Sequence, residues 1–146
     1  MRFQAALLTV CALLFLTSIR GAAQSTTGTE KQIAQVMNTW VEDWNEKRID
    51  DLTTLYYSHA VLLPADGSRA EGQSEIRASL QKQIGSQVEV RSLGRVTNAS
   101  LAFENGAYTQ TKNGQSVEGN YLVVLIWDGG KWLIIQHAST AKPPPK

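Results

Sequence analysis

Residues 55–67, Leu-Tyr-Tyr-Ser-His-Ala-Val-Leu-Leu-Pro-Ala-Asp-Gly, mark a junction between two kinds of secondary structure. Two tyrosines at the end of a short predicted helix are followed by an apolar strand, Ala60 to Leu63, which Pro64 ends and Asp66-Gly67 turns. This order predicts a helix that folds back over a curved sheet and leaves a space lined by aromatic rings.

The residues on either side of this junction predict helices first and strands afterwards. Apolar side chains that step by three and four predict a helix from about Thr29, in a capping box with Gln32, to about Lys47. Asp50 caps a second, short helix that turns Leu52, Leu55 and Tyr56 inward, and a third helix runs from about Gln73 to Ile84. Four long antiparallel strands follow: Val88–Val96, Leu101–Thr111, Val117–Asp128 and Lys131–Thr140.

Turn residues separate these strands. Asn113-Gly114 and Asp128-Gly129-Gly130 predict hairpins, whereas Asn105-Gly106 is either a hairpin or a bulge in one long strand, and the strand lengths favour the bulge. The sequence therefore predicts an α+β domain in which three N-terminal helices pack on a strongly curved antiparallel sheet.

The N-terminus of the 146-residue chain has the layout of a secretory signal peptide. A basic Arg2, an apolar run from Ala5 to Leu16 and a small-residue site at Gly21-Ala22-Ala23 predict cleavage after Ala23 and export to the periplasm or the cell exterior. The predicted organisation is a signal peptide at 1–23, a polar leader at 24–29, the folded domain at 30–140 and a disordered Pro-rich tail at 141–146.

Composition excludes several kinds of site. The chain has 14 basic and 13 acidic residues, and without the signal peptide it contains no basic run, which argues against nucleic acid or a membrane as partner. The one cysteine, Cys11, lies in the signal peptide, and His59 and His137 have no ligand spacing, so no metal site is predicted. No nucleophile-elbow motif and no phosphate-binding glycine loop is present, and we expect no cofactor.

Residues 121–127 and 132–135 are apolar on both faces of their strands. In an antiparallel sheet with one solvent-exposed face, apolar and polar side chains should alternate along each strand. We therefore predict a homodimer that packs through the sheet, although a few exposed apolar side chains can also occur without a partner.

The order of these motifs resembles the SnoaL-like families of the nuclear-transport-factor-2-like (NTF2-like) superfamily. The resemblance covers about residues 30–140 and rests on the 55–67 segment, on Gly72 before Ile76, and on Trp127-Asp128-Gly129-Gly130-Lys131-Trp132 followed by Gln136-His137-Ala138-Ser139. It implies a cone-shaped fold with a cavity between three helices and a curved sheet, and frequent dimerisation through that sheet. The superfamily includes ketosteroid isomerases, cyclases, hydrolases, dehydratases and proteins without demonstrated activity, so the fold constrains function weakly.

The isomerases of this superfamily use two aspartates, and the resemblance places those positions at or near Pro64 and near Val123. Neither position carries a carboxylate. Asp66 lies two residues beyond the first, but its Asp-Gly turn is expected to direct it to solvent. Isomerase chemistry of that kind is therefore not expected.

His137 is the predicted catalytic candidate. If it shares a face with Leu133 and Ile135, it lies in an apolar setting and could act as a general base, although a structural hydrogen bond or an interface position would also explain it. The predicted ligand pocket consists of Trp44, Tyr57, Leu63, Tyr108 and Val123, where the tryptophan and the tyrosines could equally have structural roles.

Three functions remain open from the sequence, and the last of them is a purely structural or protein-interaction role. The first is an exported domain that binds a small, largely apolar molecule without a demonstrable reaction. The alternative is a cofactor-independent isomerase, hydrolase or lyase in which His137 carries the proton and Tyr57 or Asp66 assists.

Overall fold

A computed structural model describes the backbone of residues 20–143 and the side chains from residue 28 onward. The predicted signal peptide lies outside the part with described side chains, and residues 144–146 of the predicted tail lie outside the described residues. Within the described part of the chain, no helix combines the length and the apolarity needed to cross a membrane.

Between residues 20 and 143, three helices precede the long strands, as predicted: α1 (Arg20–Asn45), α2 (Ile49–Thr54) and α3 (Gly72–Gln83). α1 includes Thr29 rather than beginning there, so the predicted capping box is wrong. Its buried stripe is the one predicted from the three-and-four spacing: Ile33, Met37, Trp40 and Trp44.

The end of α1 fixes the position of α2. The Lys47 N–H donates to the carbonyl of Trp44 and the Arg48 N–H to that of Asp43, the two bonds of a Schellman motif. Lys47 has the left-handed φ of 61° that this motif needs. The Arg48 guanidinium then bonds the buried Asp43 carboxylate at 2.8 Å, which ties the loop back to α1.

The described residues form a sheet of six strands: β1 (Tyr56–Leu63), β2 (Ala70–Glu71), β3 (Gln87–Asn98), β4 (Leu101–Lys112), β5 (Gln115–Asp128) and β6 (Lys131–Ala141). Their order is β2-β1-β6-β5-β4-β3. The four long strands and the α+β class are confirmed. The sheet is not wholly antiparallel, however, because β1 lies parallel to β6, with Leu62 opposite His137.

Two local predictions are corrected by the strands. Tyr56 and Tyr57 belong to β1 rather than to a helix, since α2 ends at Thr54 and the Leu55 carbonyl accepts a bond from Ile134 N–H of β6. Aromatic residues also favour extended backbone. Asn105-Gly106 lies within the continuous strand β4, and the bulge is on the opposite strand, where the register shifts between Ser92 and Gly94.

The two faces of the sheet differ in what covers them. The inner face packs against the helices and contributes Ala102, Tyr121, Val123, Leu125 and Ile134 to the core. On the other face, the register places Val96 opposite Phe103 and Leu101 opposite Ile126. Leu122 lies opposite Asn105, two residues along β4 from Phe103. Val96, Leu101, Phe103 and Leu122 are 40–52% exposed and form what we call the outer apolar patch.

Candidate functional site

A cavity of about 80 Å³ lies between the helices and the inner face of the sheet. α1 forms one wall, the end of β1 and the end of α3 form the mouth, and β3 to β6 form the floor. The lining residues are Met37, Trp40, Trp44, Leu62, Pro64, Ala65, Leu80, Gln83, Val88, Val90, Tyr108, Gln110, Tyr121, His137 and Ser139. None of them has an acidic side chain, a lysine or an arginine, so the only titratable groups on the wall are one imidazole and two phenols.

The size of the cavity limits what it can enclose. Its volume is about half of the roughly 150 Å³ of an apolar protein cavity that holds benzene. Five- and six-membered rings such as cyclopentanone and benzene therefore cannot be fully enclosed while the walls stay as they are, and part of such a ligand would lie in the mouth. A larger molecule would have to extend through the mouth beside Pro64, Ala65 and Gln83.

A chain of two buried hydrogen bonds supports one wall. The indole Nε1–H of Trp40 donates to the hydroxyl oxygen of Tyr56 at 2.9 Å. The same hydroxyl lies 2.8 Å from Nδ1 of His137. Trp40 also places its ring edge-on against the imidazole, with 5.3 Å between ring centroids. Three side chains from α1, β1 and β6 are therefore locked together beside the cavity.

These bonds determine where the imidazole carries its proton. The Tyr56 oxygen already accepts from Trp40, and its own proton has His137 Nδ1 as acceptor, so Nδ1 is unprotonated and the proton sits on Nε2. Burial lowers the pKa of His137 to about 4, so the imidazole is neutral at physiological pH. Burial also raises the pKa of Tyr56 far above its usual value, which keeps its phenol protonated. His137 therefore presents an N–H donor, not a lone pair, on its free side.

Other polar groups on the wall divide into two sets. Gln110 donates to the Ser86 hydroxyl at 2.7 Å, and the Trp44 indole donates to the Ser86 carbonyl at 3.0 Å, so both are held in place. Among the described residues, none forms a hydrogen bond with the side chain of Gln83 or with the hydroxyls of Tyr108 and Ser139. The side chains of Gln83, Tyr108 and Ser139 can therefore reorient to form hydrogen bonds with a ligand.

Two glycines make room for the tyrosines of the floor. Tyr121 lies opposite Gly106, and Tyr108 lies opposite Gly119, in the pairing of β4 with β5. A Cβ on Gly106 would come within 2.4 Å of the Tyr121 ring, and one on Gly119 within 2.5 Å of the Tyr108 ring. Each ring therefore lies over the backbone of the neighbouring strand, which only glycine allows.

A buried carboxylate lies behind this floor. Glu104 is 1% exposed and forms an ion pair with Arg95 on the neighbouring strand. The Tyr121 hydroxyl donates to the other carboxylate oxygen at 2.8 Å. Burial and this bond to Glu104 raise the pKa of Tyr121. The carboxylate does not line the cavity, and it acts there only by fixing the ring of Tyr121.

The sequence-predicted site residues are partly brought together. Trp44, Tyr108 and His137 line the cavity, whereas Tyr57, Leu63 and Val123 do not. Tyr57 and Leu63 are displaced because the buried positions of β1 are Tyr56, Ala60 and Leu62. Val123 is fully buried in the sheet beside His137.

The face predicted for His137 is also corrected. His137 pairs with Val123, but Ile134 pairs with Leu125, so an extra residue, Ile135, interrupts the alternation. His137 therefore shares the inner face with Ile134 rather than with Leu133 and Ile135. Its burial in an apolar setting is nevertheless the one expected from the sequence.

The structure shows where Pro64 and Val123 lie, the two positions at which the isomerases carry aspartates. Pro64 lies at the cavity mouth and Val123 in the core. Asp66 is exposed and its carboxylate accepts the Ser68 N–H at 2.9 Å, as in a turn. Hydrogen bonding from the Ser68 side chain and then from its backbone N–H lowers the pKa of Asp66. In the described part of the chain, no group of three or more His, Cys, Asp or Glu side chains could hold a metal ion.

Sequence reasoning missed Tyr56 and Glu104. The signal for Tyr56 was present, because period-two alternation extended backwards from Leu62 and Ala60 selects Tyr56 over Tyr57. For Glu104 no signal was available. The apolar Leu101 and Phe103 suggest that odd-numbered positions of this strand face the core, which would place Glu104 on the outer face. Its partner Arg95 is recognisable only from the pairing of β3 with β4.

Solved structures of bacterial proteins superpose on most of this chain. An NTF2-like protein of unknown function from Shewanella oneidensis MR-1 matches with a TM-score of 0.69 and 16% identity, over 77% of this chain and 98% of its own. Another from Pseudomonas putida KT2440 matches with a TM-score of 0.70 and 18% identity, over 80% and 88%. The chain has the NTF2-like fold.

A third similar structure is a ketosteroid isomerase-like protein from Erwinia carotovora atroseptica SCRI1043. It has a TM-score of 0.70 and 18% identity, over 78% of this chain and 96% of its own. No protein-family model matches the chain, and no curated protein sequence matches it. The predicted resemblance to the NTF2-like superfamily is confirmed at the level of the fold, and the SnoaL-like subdivision stays a prediction.

Proposed function

We propose that this chain is an exported SnoaL-like domain that binds a small, largely apolar molecule in the cavity between α1 and the sheet. The observation that carries the proposal is the cavity wall, which combines two tryptophans, several aliphatic side chains and no fixed charge. Pockets for small molecules typically have such walls with a few polar groups that orient the ligand. His137, Tyr108 and Ser139 are those polar groups here.

An isomerase, hydrolase or lyase with His137 as proton carrier is less well supported. A general base needs a free lone pair that faces the substrate. The lone pair of His137 is on Nδ1 and accepts the proton of Tyr56. Tyr57 does not line the cavity and Asp66 is exposed, so neither predicted assistant lies beside the imidazole.

The proposal is tested by NMR titration of the folded domain with benzene, phenol and cyclopentanone. The indole N–H signal of Trp44 reports on occupancy, because its ring lines the cavity. We expect Kd values on the order of 1 mM for ligands of this size. Failure of every compound to shift this signal would contradict the proposal.

A matched pair of variants locates the binding. Ala65 is exposed at the mouth, so Ala65→Trp should obstruct entry and weaken binding at least about tenfold. Ala78 is exposed on α3 away from the cavity, so Ala78→Trp should leave binding unchanged. Equal weakening by both substitutions, or by neither, would assign the ligands to another site.

We further propose that the domain forms a homodimer through the outer apolar patch. Support comes from the contiguity of Val96, Leu101, Phe103 and Leu122 across three strands, because large exposed apolar patches usually mark interaction surfaces. Sedimentation equilibrium should give twice the chain mass for the wild type. Phe103→Glu should give a monomer and Ala78→Glu a dimer, and a monomeric wild type at micromolar concentration would refute the proposal.

Export is proposed from the N-terminal sequence. It predicts that protein recovered from the periplasm or medium of an expressing bacterium begins at Gln24. Intact-mass measurement tests this directly, since an uncleaved chain retained in the cytosol would contradict it.

A further inference from the structure

The free side of His137 identifies the class of ligand that fits the cavity. The inference concerns the same site and rests on the proposed binding function. Tyr56 engages Nδ1 at 2.8 Å, and none of the described residues accepts a hydrogen bond from Nε2. Because His137 lines the cavity, its Nε2–H is a donor available to a bound molecule.

The direction of the hydrogen-bond chain fixes this donor role. Trp40 can only donate, so the Tyr56 oxygen accepts from it and the Tyr56 proton is passed towards Nδ1. The alternative tautomer would have Trp40 and His137 both donating to the same oxygen. It would also leave the Tyr56 proton without an acceptor in a fully buried site, at the cost of an unsatisfied polar group.

The remainder of the wall restricts the charge of the ligand. A carboxylate or an ammonium ion in this cavity would have no opposite charge on the wall and would lose its hydration. The ion pair behind Tyr121, Glu104 with Arg95, is already satisfied. A neutral molecule with a strong acceptor oxygen satisfies both constraints.

We propose that the cavity binds small neutral carbonyl compounds, whose oxygen accepts a hydrogen bond from Nε2–H of His137 while the carbon skeleton packs between Trp40, Trp44 and Leu62. A carbonyl group has no hydrogen-bond donor, so it needs no acceptor or general base on the cavity wall. The side chains of Tyr108 and Ser139 provide further donors for its second lone pair.

A series of four ligands with the same five-membered ring separates the effect of the acceptor oxygen from the effect of charge. Cyclopentanone carries the acceptor, methylenecyclopentane replaces the oxygen by CH₂, and cyclopentylamine and cyclopentanecarboxylate carry charge at neutral pH. We expect cyclopentanone to bind about threefold to tenfold more tightly than methylenecyclopentane, as one hydrogen bond would give. The two charged compounds should bind more weakly than either.

The outcomes distinguish this inference from the proposed function. If cyclopentanone and methylenecyclopentane bind equally well, the cavity binds apolar molecules but the carbonyl preference is refuted. If neither shifts the Trp44 signal, the binding function itself fails and the inference falls with it. Tighter binding of a charged compound also overturns the inference.

Variants at the two histidines assign the effect to the imidazole. His137→Leu should abolish the difference between ketone and alkene, and His137→Gln, whose amide can donate, should restore part of it. His59 is exposed and lies outside the cavity, so His59→Gln is the matched control and should keep the full difference.

Nitrogen-15 NMR of histidine-labelled protein tests the tautomer without any substitution. The chain has only two histidines, so the spectrum is simple to assign. We expect His137 to be protonated on Nε2 at neutral pH, and cyclopentanone to shift that signal more than methylenecyclopentane does. An unprotonated Nε2 in the free protein would overturn the proposal even if the variants fail to fold.

Discussion

Acidification should destabilise this protein through His137 before most carboxylates titrate. In the folded chain, burial lowers the pKa of His137 to about 4, whereas an unfolded chain has the ordinary value near 6.5. Between these two values the unfolded state binds a proton that the folded state excludes. The free energy of unfolding therefore falls as the pH falls from about 6.5 to about 4, and this contribution is constant below that range.

The magnitude follows from the difference between the two pKa values. Each pH unit is worth about 1.4 kcal/mol, so the loss from pH 7 to pH 4 is on the order of 3 kcal/mol. This is a large share of the 5–15 kcal/mol that typically stabilises a domain of this kind. The value needs no correction for solvent screening, because the side chain is 7% exposed.

Urea unfolding of the wild type and of His137→Gln at several pH values measures this contribution. Glutamine does not titrate, and the carboxylates contribute to both proteins, so their effect cancels in the difference. The stability advantage of the wild type over the variant should shrink by about 3 kcal/mol from pH 7 to pH 4. His59→Gln should follow the wild type throughout. Parallel curves for wild type and His137→Gln would refute the assignment of a buried neutral imidazole.

Three further substitutions test how the fold is held together, each by urea unfolding at pH 7. Gly106→Ala should lower the free energy of unfolding by about 2–3 kcal/mol, since its Cβ would lie 2.5 Å from a backbone oxygen. The control Gly28→Ala, whose Cβ would have nothing within 4 Å, should be neutral or stabilising. Equal effects of the two substitutions would contradict the packing argument. Glu104→Ala should lower the free energy of unfolding by on the order of 3 kcal/mol, because it leaves Arg95 unpaired. Adding Arg95→Met should recover part of this loss. A loss below about 1 kcal/mol would show that the pair is not effectively buried. Lys47→Gly should stabilise by about 0.5–1 kcal/mol because its φ of 61° suits glycine, and a destabilised variant would argue against the left-handed turn.

The sequence predicted those parts of the fold that depend on local periodicity and turn chemistry. The buried stripe of α1, the four long strands and the hairpins at Asn113-Gly114 and Asp128-Gly129-Gly130 all follow from spacing and turn residues. The end of α2 was misplaced by three residues, because the sequence placed Tyr56 and Tyr57 in the helix and α2 ends at Thr54. Helix propensity alone cannot indicate that a strand begins at Tyr56, where the chain pairs with β6.

The candidate site was less predictable because its geometry depends on pairing between distant strands. His137 was found from its apolar neighbours, but the extra residue Ile135 in β6 changed which residues share its face. The parallel pairing of β1 with β6 brings Tyr56 to His137, and no local pattern encodes it. The same holds for Glu104, whose burial depends on a cation nine residues earlier on another strand.

The pairing of the first strand with the last has a consequence for the order of folding. Tyr56 and His137 are separated by 81 positions, and β1 has no long neighbour in the sheet other than β6. The hairpins of β3 to β6 close over short loops, whereas closing β1 onto β6 requires a much longer loop. On a ribosome, the helices and β1 emerge before β6 exists, so the apolar faces that β6 covers stay open until that strand has been synthesised. The core of this domain therefore cannot close around Tyr56 before β6 has been made.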